Sequence, residues 1–238
     1  MDRKIHRYHE QAYQKMKASG ICCWEKLLSP QNKDIDGKSK RFLKDVFPKS
    51  WFPKKGKVVE LGCGTGPILR WVCKKGFSGL GVDVSKTAIY LAKQQTKEGN
   101  IHFKKADVCS DEIKKFGKFD VIIDGHCLHC IVSVTERRRF FKNASKLLSK
   151  DGILIIMTMC GPINKDEFIK ICRNSKISNN ILYSKMVKNN AYMPIRKILP
   201  WKNIVTEIKK AGLDILLSRY IKPYRGDPFG SLMIAATK

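Results

Sequence analysis

Between residues 57 and 160, short apolar runs alternate with segments of helical periodicity, and this alternation most restricts how the chain can fold. The apolar runs are KVVEL, SGLGVDV, IHFKKADV, FDVIIDG and ILIIMTMCG. Strands separated by helices pair in parallel, because the chain must cross over the sheet before it forms the next strand. The pattern therefore predicts an α/β fold with a mainly parallel sheet and helices on both faces.

Local signals refine the expected helices. Residues 3–19 contain helix formers and no breaker, and ICCWEKLLS could add a short helix. Ser85 is expected to cap the helix after the second strand, because a serine hydroxyl can accept a hydrogen bond from the first turn. The helix in SVTERRRFFKNASKLLSKDG is expected to close at Gly152.

The C-terminal part of the chain departs from the alternation. WKNIVTEIKKAG predicts a helix that stops at Gly212, and LDILLSRYI and SLMIAAT predict two further strands. No strong helix separates these strands, so we expect them to pair antiparallel. The absence of internal repeats and low-complexity linkers favours one domain over residues 1–238.

Composition limits the class of protein. The chain has 238 residues, 43% of them hydrophobic, and no stretch approaches the roughly 18 consecutive apolar residues of a membrane helix. The polar N-terminus lacks the pattern of a secretory signal. Nine cysteines, an odd number in a long chain, are expected to be reduced thiols of a cytoplasmic protein.

The formal net charge of +26 has two interpretations. Clustered lysine and arginine neutralise phosphates, so the charge could mark a nucleic-acid surface. Alternatively, the lysines are spread along the whole chain as a compositional habit, since the basic clusters are short and no long block occurs.

A glycine-rich turn joins the first strand to the next helix. Gly62, Gly64 and Gly66 remove every Cβ from the turn, and the helix beyond it offers free N–H groups. The spacing differs from the dinucleotide-binding fingerprint G-x-G-x-x-G by one residue, and no Gly-Lys-Ser/Thr follows, which excludes a Walker loop. The turn predicts a ligand that approaches the backbone closely.

Three acidic residues stand at the ends of successive strands. Glu60 precedes the glycine turn, where a carboxylate would repel a pyrophosphate but suits an amino group. Asp83 ends the second strand, where it can accept hydrogen bonds from ribose hydroxyls, and Asp107 ends the predicted third strand within reach of an adenine amino group. Together they describe a ligand with a ribose, an adenine and a cationic amino-acid tail.

The segments VELGCGTG, GVDVS, ADV and FDVIIDGHCLHCI resemble the ordered motifs of the class I S-adenosylmethionine-dependent methyltransferases. The resemblance implies a Rossmann-like seven-stranded sheet with the last strand antiparallel, S-adenosylmethionine as cofactor and S-adenosylhomocysteine as product. It also implies the cofactor-binding residues, which are Glu60, Gly62, Cys63, Gly64 and Gly66 at the methionine end, Asp83 at the ribose, Val84, Asp107 and Val108 at the adenine, and Asp124 beside the bound cofactor.

The segment DGHCLHC follows the fourth strand, and the resemblance places it beside the reactive methyl group. His126 and His129 are the candidate catalytic residues, as general bases or as groups that shape the pocket and hydrogen-bond the cofactor. CLHCI resembles the LHH element of ubiquinone-biosynthesis-like methyltransferases, with Cys130 in place of the second histidine. This branch of the family acts on small molecules.

Other interpretations of this segment are less favoured. Cys127 and Cys130 form a C-x-x-C, but no second ligand pair stands out, so no metal is expected. These two thiols with Cys160 could also serve a thiol or soft-element substrate. Amino-methylating enzymes of nucleic acids carry an Asn/Asp-Pro-Pro-aromatic element and cytosine C5 enzymes a Pro-Cys pair, and this chain has neither.

The sequence therefore predicts a methyltransferase acting on a small molecule, with an RNA or protein methyltransferase and a non-catalytic cofactor-binding protein as alternatives. A helical cap over residues 1–50 and an insertion or lid over 163–200 are expected to cover the substrate pocket, because specificity in such folds comes from added segments.

Overall fold

The computed structural model describes residues 3–21, 35–186 and 190–238. The short helix expected in ICCWEKLLS lies outside these ranges, apart from Ile21. The helices described are α1 (Arg3–Ala18), α2 (Ile35–Val46), α3 (Pro67–Cys73), α4 (Lys86–Gln94), α5 (Val134–Leu147), α6 (Lys165–Ile171) and α7 (Trp201–Lys210). The strands described are β1 (Gly56–Leu61), β2 (Phe77–Asp83), β3 (Ile101–Lys105), β4 (Phe119–Gly125), β5 (Leu148–Ile163), β6 (Ser175–Ser178), β7 (Ile181–Lys185), β8 (Tyr192–Lys197), β9 (Asp214–Ile221) and β10 (Phe229–Thr237).

Seven strands form the central sheet in the order β3-β2-β1-β4-β5-β10-β9. The pairs among β1 to β5 are all parallel, and β10 pairs antiparallel with both β5 and β9. The predicted seven-stranded sheet with an antiparallel last strand is confirmed. The order changes direction between β1 and β4, which places a crevice at the carboxyl ends of these two strands.

Helices cover both faces of the sheet, as predicted. Side chains alternate between the faces along β4, because successive residues of a strand point to opposite sides. Ile122 packs in a core with Phe140 of α5 and Ile204 of α7. Val121 and Ile123 pack in a second core, which also contains residues of α2, α3 and α4.

Two local predictions are confirmed and one is wrong. Ser85 caps α4 by accepting a hydrogen bond from the Ala88 N–H at 3.0 Å, and Gly212, with φ of +73°, follows α7. The helix expected to close at Gly152 instead ends at Leu147. Leu148 is already extended and pairs with Phe119 of β4, so strand pairing ends the helix before the glycine is reached.

The segment 163–200 contains secondary structure that the sequence analysis did not predict. After α6, the strands β6, β7 and β8 form a separate antiparallel sheet. Its apolar side chains are isolated in a polar sequence, but Leu182, Ile195 and Ile198 are buried together with Phe229 of β10. Among the described residues, no helix is long and apolar enough to cross a membrane.

Candidate active site

The glycine turn after β1 is bare of side chains because other elements lie directly against it. Gly62 and Gly64 have φ of +71° and +53°, a region that strains residues with a Cβ. A Cβ on Gly62 would lie 2.5 Å from Cys127 Sγ, and one on Gly64 would lie 2.5 Å from the Tyr13 hydroxyl. The turn therefore brings its backbone close to both α1 and the segment after β4.

Asp83 ends β2 and is hydrogen-bonded to the glycine turn. Its Oδ2 accepts from the Gly64 N–H at 2.9 Å and its Oδ1 from the Ser85 N–H at 2.8 Å. Burial raises the pKa of Asp83 to about 6, although these backbone bonds favour the charged form. The carboxylate is thus ionised at neutral pH, and each oxygen keeps a lone pair that can accept a ribose hydroxyl.

Glu60 is buried at the end of β1 and faces the helix that follows the turn. Its Oε2 accepts a hydrogen bond from the Leu69 N–H of α3 at 3.0 Å. A Cβ on Gly125 would lie 2.7 Å from the other oxygen, Oε1. Glu60 therefore holds the first turn of α3 while its second oxygen faces the end of β4.

The segment after β3 is held by a residue that the sequence analysis missed. Asp107 Oδ1 accepts from the Cys109 N–H at 2.8 Å, and Val108 is buried. Asn143 Nδ2 donates to the carbonyls of Val108 and Ser110 at 3.0 and 2.9 Å. An asparagine on the apolar side of α5, beside two phenylalanines, was the signal that could have identified it.

Asp124 shapes the segment after β4. Its Oδ1 accepts from the N–H groups of Cys127 and Leu128 at 2.7 and 3.0 Å, which starts the short 3-10 helix Leu128–Cys130. Within the described ranges, Oδ2 is buried and has no hydrogen-bond donor. Burial raises the pKa of Asp124 to about 7, against the effect of its two backbone bonds.

His126 and His129 lie beside each other, with ring centroids 6.0 Å apart. His126 has φ of +77°, and its backbone N–H donates to the Met157 carbonyl at 2.9 Å. Its ring nitrogen Nε2 lies 3.0 Å from Ser39 Oγ of α2. The unusual backbone angle turns its side chain towards α2. The structure thus brings both candidate catalytic histidines to the carboxyl end of β4.

The hydrogen bonds of His129 define its tautomer. The Met159 N–H donates to its Nδ1 at 3.3 Å, and Thr158 Oγ1 lies 3.2 Å from the same nitrogen. Burial, aided by the positive charge of Arg196, lowers the pKa of His129 well below its usual value. The ring is therefore neutral, with its hydrogen on Nε2, which can donate to a bound molecule.

Arg137 of α5 supports the histidine segment, residues 126–130, a role that the sequence analysis did not predict. Its side chain is buried, and Nη1 donates to the Leu128 carbonyl at 2.7 Å. Nη2 forms an ion pair with Glu207 of α7 at 2.6 Å. The pair fixes the 3-10 helix on α5 and α7.

Helix α1 lies along the carboxyl ends of the strands. Glu10 accepts hydrogen bonds from Ser85 Oγ at 2.8 Å and from the Thr87 N–H at 3.3 Å, so it joins α1 to the start of α4. Burial lowers the pKa of His6, and the nearby Asp107 partly opposes this shift. The same helix therefore approaches the segments that follow both Asp83 and Asp107.

The cysteines near the site are neutral thiols. Burial raises the pKa of Cys127, Cys130 and Cys160, the last to about 12, and a protonated thiol is a poor nucleophile and metal ligand. This does not favour a thiol or soft-element substrate. In the described part of the chain, no group of three or more His, Cys, Asp and Glu residues is placed to hold a metal ion.

Comparisons with known proteins agree with this geometry. Residues 59–156 match the family described as "Methyltransferase domain". A ubiquinone biosynthesis O-methyltransferase of Pelagibacter ubique is 33% identical over 43% of this chain and 42% of that protein. A ubiquinone/menaquinone biosynthesis C-methyltransferase of Campylobacter jejuni is 26% identical over 76% of this chain and 78% of that protein.

A solved structure extends the similarity across the sheet. The 1,6-didemethyltoxoflavin-N1-methyltransferase of Burkholderia thailandensis, with bound 1,6-didemethyltoxoflavin and S-adenosylhomocysteine, has a TM-score of 0.64 and 14% identity, and covers 98% of this chain and 89% of that chain. The chain matches less than half of the length of the first curated relatives.

The sheet order, the glycine turn and the acids at the strand ends define a Rossmann-like methyltransferase fold. Residues 59–156 match a methyltransferase domain, and the chain is similar to methyltransferases of ubiquinone and menaquinone biosynthesis.

Proposed function

We propose that this protein transfers a methyl group from S-adenosylmethionine to a small-molecule acceptor bound beside His126 and His129. The observation that carries the proposal is the Asp83 carboxylate, which is buried against the Gly64 N–H of a glycine-rich turn. Bound S-adenosylmethionine supplies a methyl group on a sulfonium, which is a good leaving group. A protein then needs chiefly to align the acceptor and, where required, to remove its proton.

The residues of the site fit this cofactor. Asp83 would bind the ribose hydroxyls, and the backbone of Gly62, Cys63, Gly64 and Gly66 would lie along the methionine moiety. The second oxygen of Glu60, Oε1, which faces the end of β4, is proposed to lie towards the amino group. Val84, Asp107 and Val108 would border the adenine, supported by the short loop that Asn143 holds. Asp124 is proposed to act mainly by holding the 3-10 helix, since both of its hydrogen bonds go to that segment.

The two histidines have different proposed roles. The Nδ1 of His129 accepts the Met159 N–H, so we propose that Nε2–H donates to the acceptor or the cofactor and orients it. His126, which reaches Ser39 through Nε2, is then the better candidate for a general base. A correctly positioned general base contributes about 10²–10⁴-fold to the rate.

The added segments are proposed to cover the acceptor. Helix α1 contacts the strand ends through Glu10, and the sheet of β6, β7 and β8 packs against the segment that carries His129. These contacts support a cap over residues 1–50 and a lid over 163–200. A cytoplasmic location is proposed from the seven described cysteines, all of which are free thiols.

The test is a turnover screen with radiolabelled S-adenosylmethionine against metabolite and RNA pools. We expect transfer to a small molecule. His126→Ala and His129→Ala are expected to lower kcat by at least about tenfold with S-adenosylhomocysteine affinity retained, whereas His102→Ala, on an exposed histidine of β3, is the matched control.

The alternatives give different results in the same screen. Transfer to RNA, with an apparent affinity that falls steeply with salt at a log–log slope of about −0.7 per phosphate contacted, would identify a nucleic-acid methyltransferase and overturn the proposal. Tight binding of S-adenosylmethionine with no transfer to either pool would indicate a binding protein instead.

A further inference from the structure

Arg196 of β8 lies beside the histidine segment. Within the described residues, its guanidinium forms one weak hydrogen bond, so most of its N–H donors are available to a ligand. It is half-buried, and its Nη1 lies 3.8 Å from Cys130 Sγ. A guanidinium has five N–H donors, and a thiol is a weak acceptor. Burial raises the pKa of Cys130, so this sulfur does not neutralise the arginine either.

Two other basic side chains near the site have acidic partners. Arg137 pairs with Glu207 and Lys38 pairs with Asp227. No carboxylate within residues 3–21, 35–186 and 190–238 forms an ion pair with Arg196. A positive charge that is partly removed from water without a partner is unfavourable, and a bound anion would offset this.

Strand β8, which carries Arg196, contacts the 3-10 helix Leu128–Cys130, and the charge of the guanidinium acts on two neutral histidines. The positive charge of Arg196 lowers the pKa of His9 on α1 and of His129, after the larger effect of burial. The pKa of His9 is lowered to about 4, so both rings are uncharged at neutral pH. Each can donate one N–H without adding charge, so among these three side chains only Arg196 is charged.

We propose that Arg196, beside the 3-10 helix that carries His129, binds a carboxylate of the methyl acceptor, which is therefore a monocarboxylic acid. A guanidinium matches a carboxylate with two parallel hydrogen bonds, and one unit charge balances the other. A phosphate dianion would require a second positive charge at this place. The inference rests on the proposed function, because it assigns the site beside His129 to the acceptor.

The direct test is binding, which does not depend on turnover. Protein saturated with S-adenosylhomocysteine is titrated with a set of aromatic and aliphatic monocarboxylic acids and with the carboxamide of each, by thermal shift and then calorimetry. We expect the ligands to be found among the acids, with at least about tenfold weaker binding of the matched amide, since a charge-assisted pair is replaced by a neutral one.

Variants locate the subsite. Arg196→Gln is expected to abolish the preference for acids with S-adenosylhomocysteine affinity unchanged, and Arg196→Lys to restore part of it, because lysine keeps the charge without the planar fork. Arg173→Gln, on an exposed arginine just after α6, is the matched control. Retention of S-adenosylhomocysteine affinity by each variant shows that it is folded.

Several results would overturn the inference. These are equal binding of acids and amides, absence of any bound acid, acid binding that survives Arg196→Gln, and a site that takes inorganic phosphate or an RNA oligonucleotide in preference to the acids. If acids bind through Arg196 but are never methylated in the turnover screen, the subsite stands and the proposed function fails. If the screen instead shows methylation of an uncharged acceptor, the proposed function stands and the carboxylate subsite is overturned.

Discussion

The backbone N–H of Gly64 lies 2.9 Å from Asp83 Oδ2, which links the turn after β1 to the acid that ends β2. Ser85 donates its N–H to the other oxygen at 2.8 Å, and its side chain continues to Glu10 of α1. The position of Asp83, the acid proposed to bind the ribose, is therefore coupled to the glycine turn on one side and to the N-terminal helix on the other.

Asp83→Asn is expected to weaken S-adenosylmethionine binding about 10- to 100-fold, because the charged hydrogen bonds contribute roughly 1.5–3 kcal/mol. The pKa of Asp83 is about 6, so the ionised form that accepts ribose hydroxyls is lost as the pH falls through 6. The affinity of the natural protein should then decline between pH 7.5 and 5.5, and that of the variant should not. Calorimetric titration at both pH values measures this, with the exposed Asp214→Asn as control; equal affinities of natural protein and variant would exclude Asp83 from the site.

Gly64→Ala is expected to weaken cofactor binding strongly in a folded protein. Its Cβ would lie 2.5 Å from the Tyr13 hydroxyl, so the cause could be displacement of α1 and not obstruction of the cofactor. The double variant Gly64→Ala/Tyr13→Phe lacks that oxygen and separates the two causes. We expect the double variant to stay impaired relative to Tyr13→Phe alone in a cofactor titration; full recovery would mean that the turn does not contact the cofactor.

Glu10→Ala is expected to loosen α1 and weaken S-adenosylhomocysteine binding by a few-fold. The carboxylate caps the start of α4 through the Thr87 N–H, and removal of such a cap costs about 1 kcal/mol. Affinity and protease cleavage within residues 3–18 are both measured. The exposed Gln11→Ala is the control on the same helix. If Glu10→Ala keeps its affinity for S-adenosylhomocysteine and its resistance to protease cleavage, α1 is not coupled to the cofactor site through Glu10.

Asp124→Asn is expected to make the stability of the protein less dependent on pH. The pKa of Asp124 is about 7 in the folded state, above the value of 3.8 for an unperturbed aspartate. The folded state therefore binds more protons between pH 4 and 7, and the unfolding free energy of the natural protein decreases as the pH rises through this window.

The amide does not titrate, so the variant lacks this contribution. Between pH 4 and pH 8, the free energy of unfolding of the variant should therefore increase by on the order of 2–4 kcal/mol relative to that of the natural protein. Urea unfolding at several pH values gives the difference, and the exposed Asp151→Asn should show no such trend. A difference that is constant with pH would mean that Asp124 is not buried as a titrating acid.

Arg137→Met is expected to destabilise the protein by about 3–5 kcal/mol, because it leaves the Glu207 carboxylate without its partner. Arg137→Met/Glu207→Met should recover part of this loss by removing the uncompensated charge. Denaturant unfolding is the measurement, and Arg138→Met, at the exposed neighbouring position, is the control. Equal stability of the single and double variants would show that the ion pair does not carry the effect.

The sequence by itself determined the alternation of strands and helices, the glycine turn and the acids at three strand ends. Each of these follows from local periodicity or from residues adjacent in the chain, such as Glu60 before Gly62, or Ser85 at the start of α4. Parallel pairing then brings the strand ends to one edge without further information. This is why the sheet could be predicted, and why the acids proposed to bind the cofactor lie along one edge of it.

Only the tertiary structure decided the rest, because the partners are distant in sequence. The end of α5 is set by pairing of Leu148 with Phe119, and the support of the histidine segment comes from Glu207, which is 70 residues away from Arg137. The tautomer of His129 depends on the Met159 N–H across the β4–β5 edge. The sheet of β6, β7 and β8 is stabilised by burial against Phe229, which no pattern within 163–200 encodes. Hydrogen bonds and burial of this kind depend on which surfaces pack together, and that packing is defined only in the folded chain.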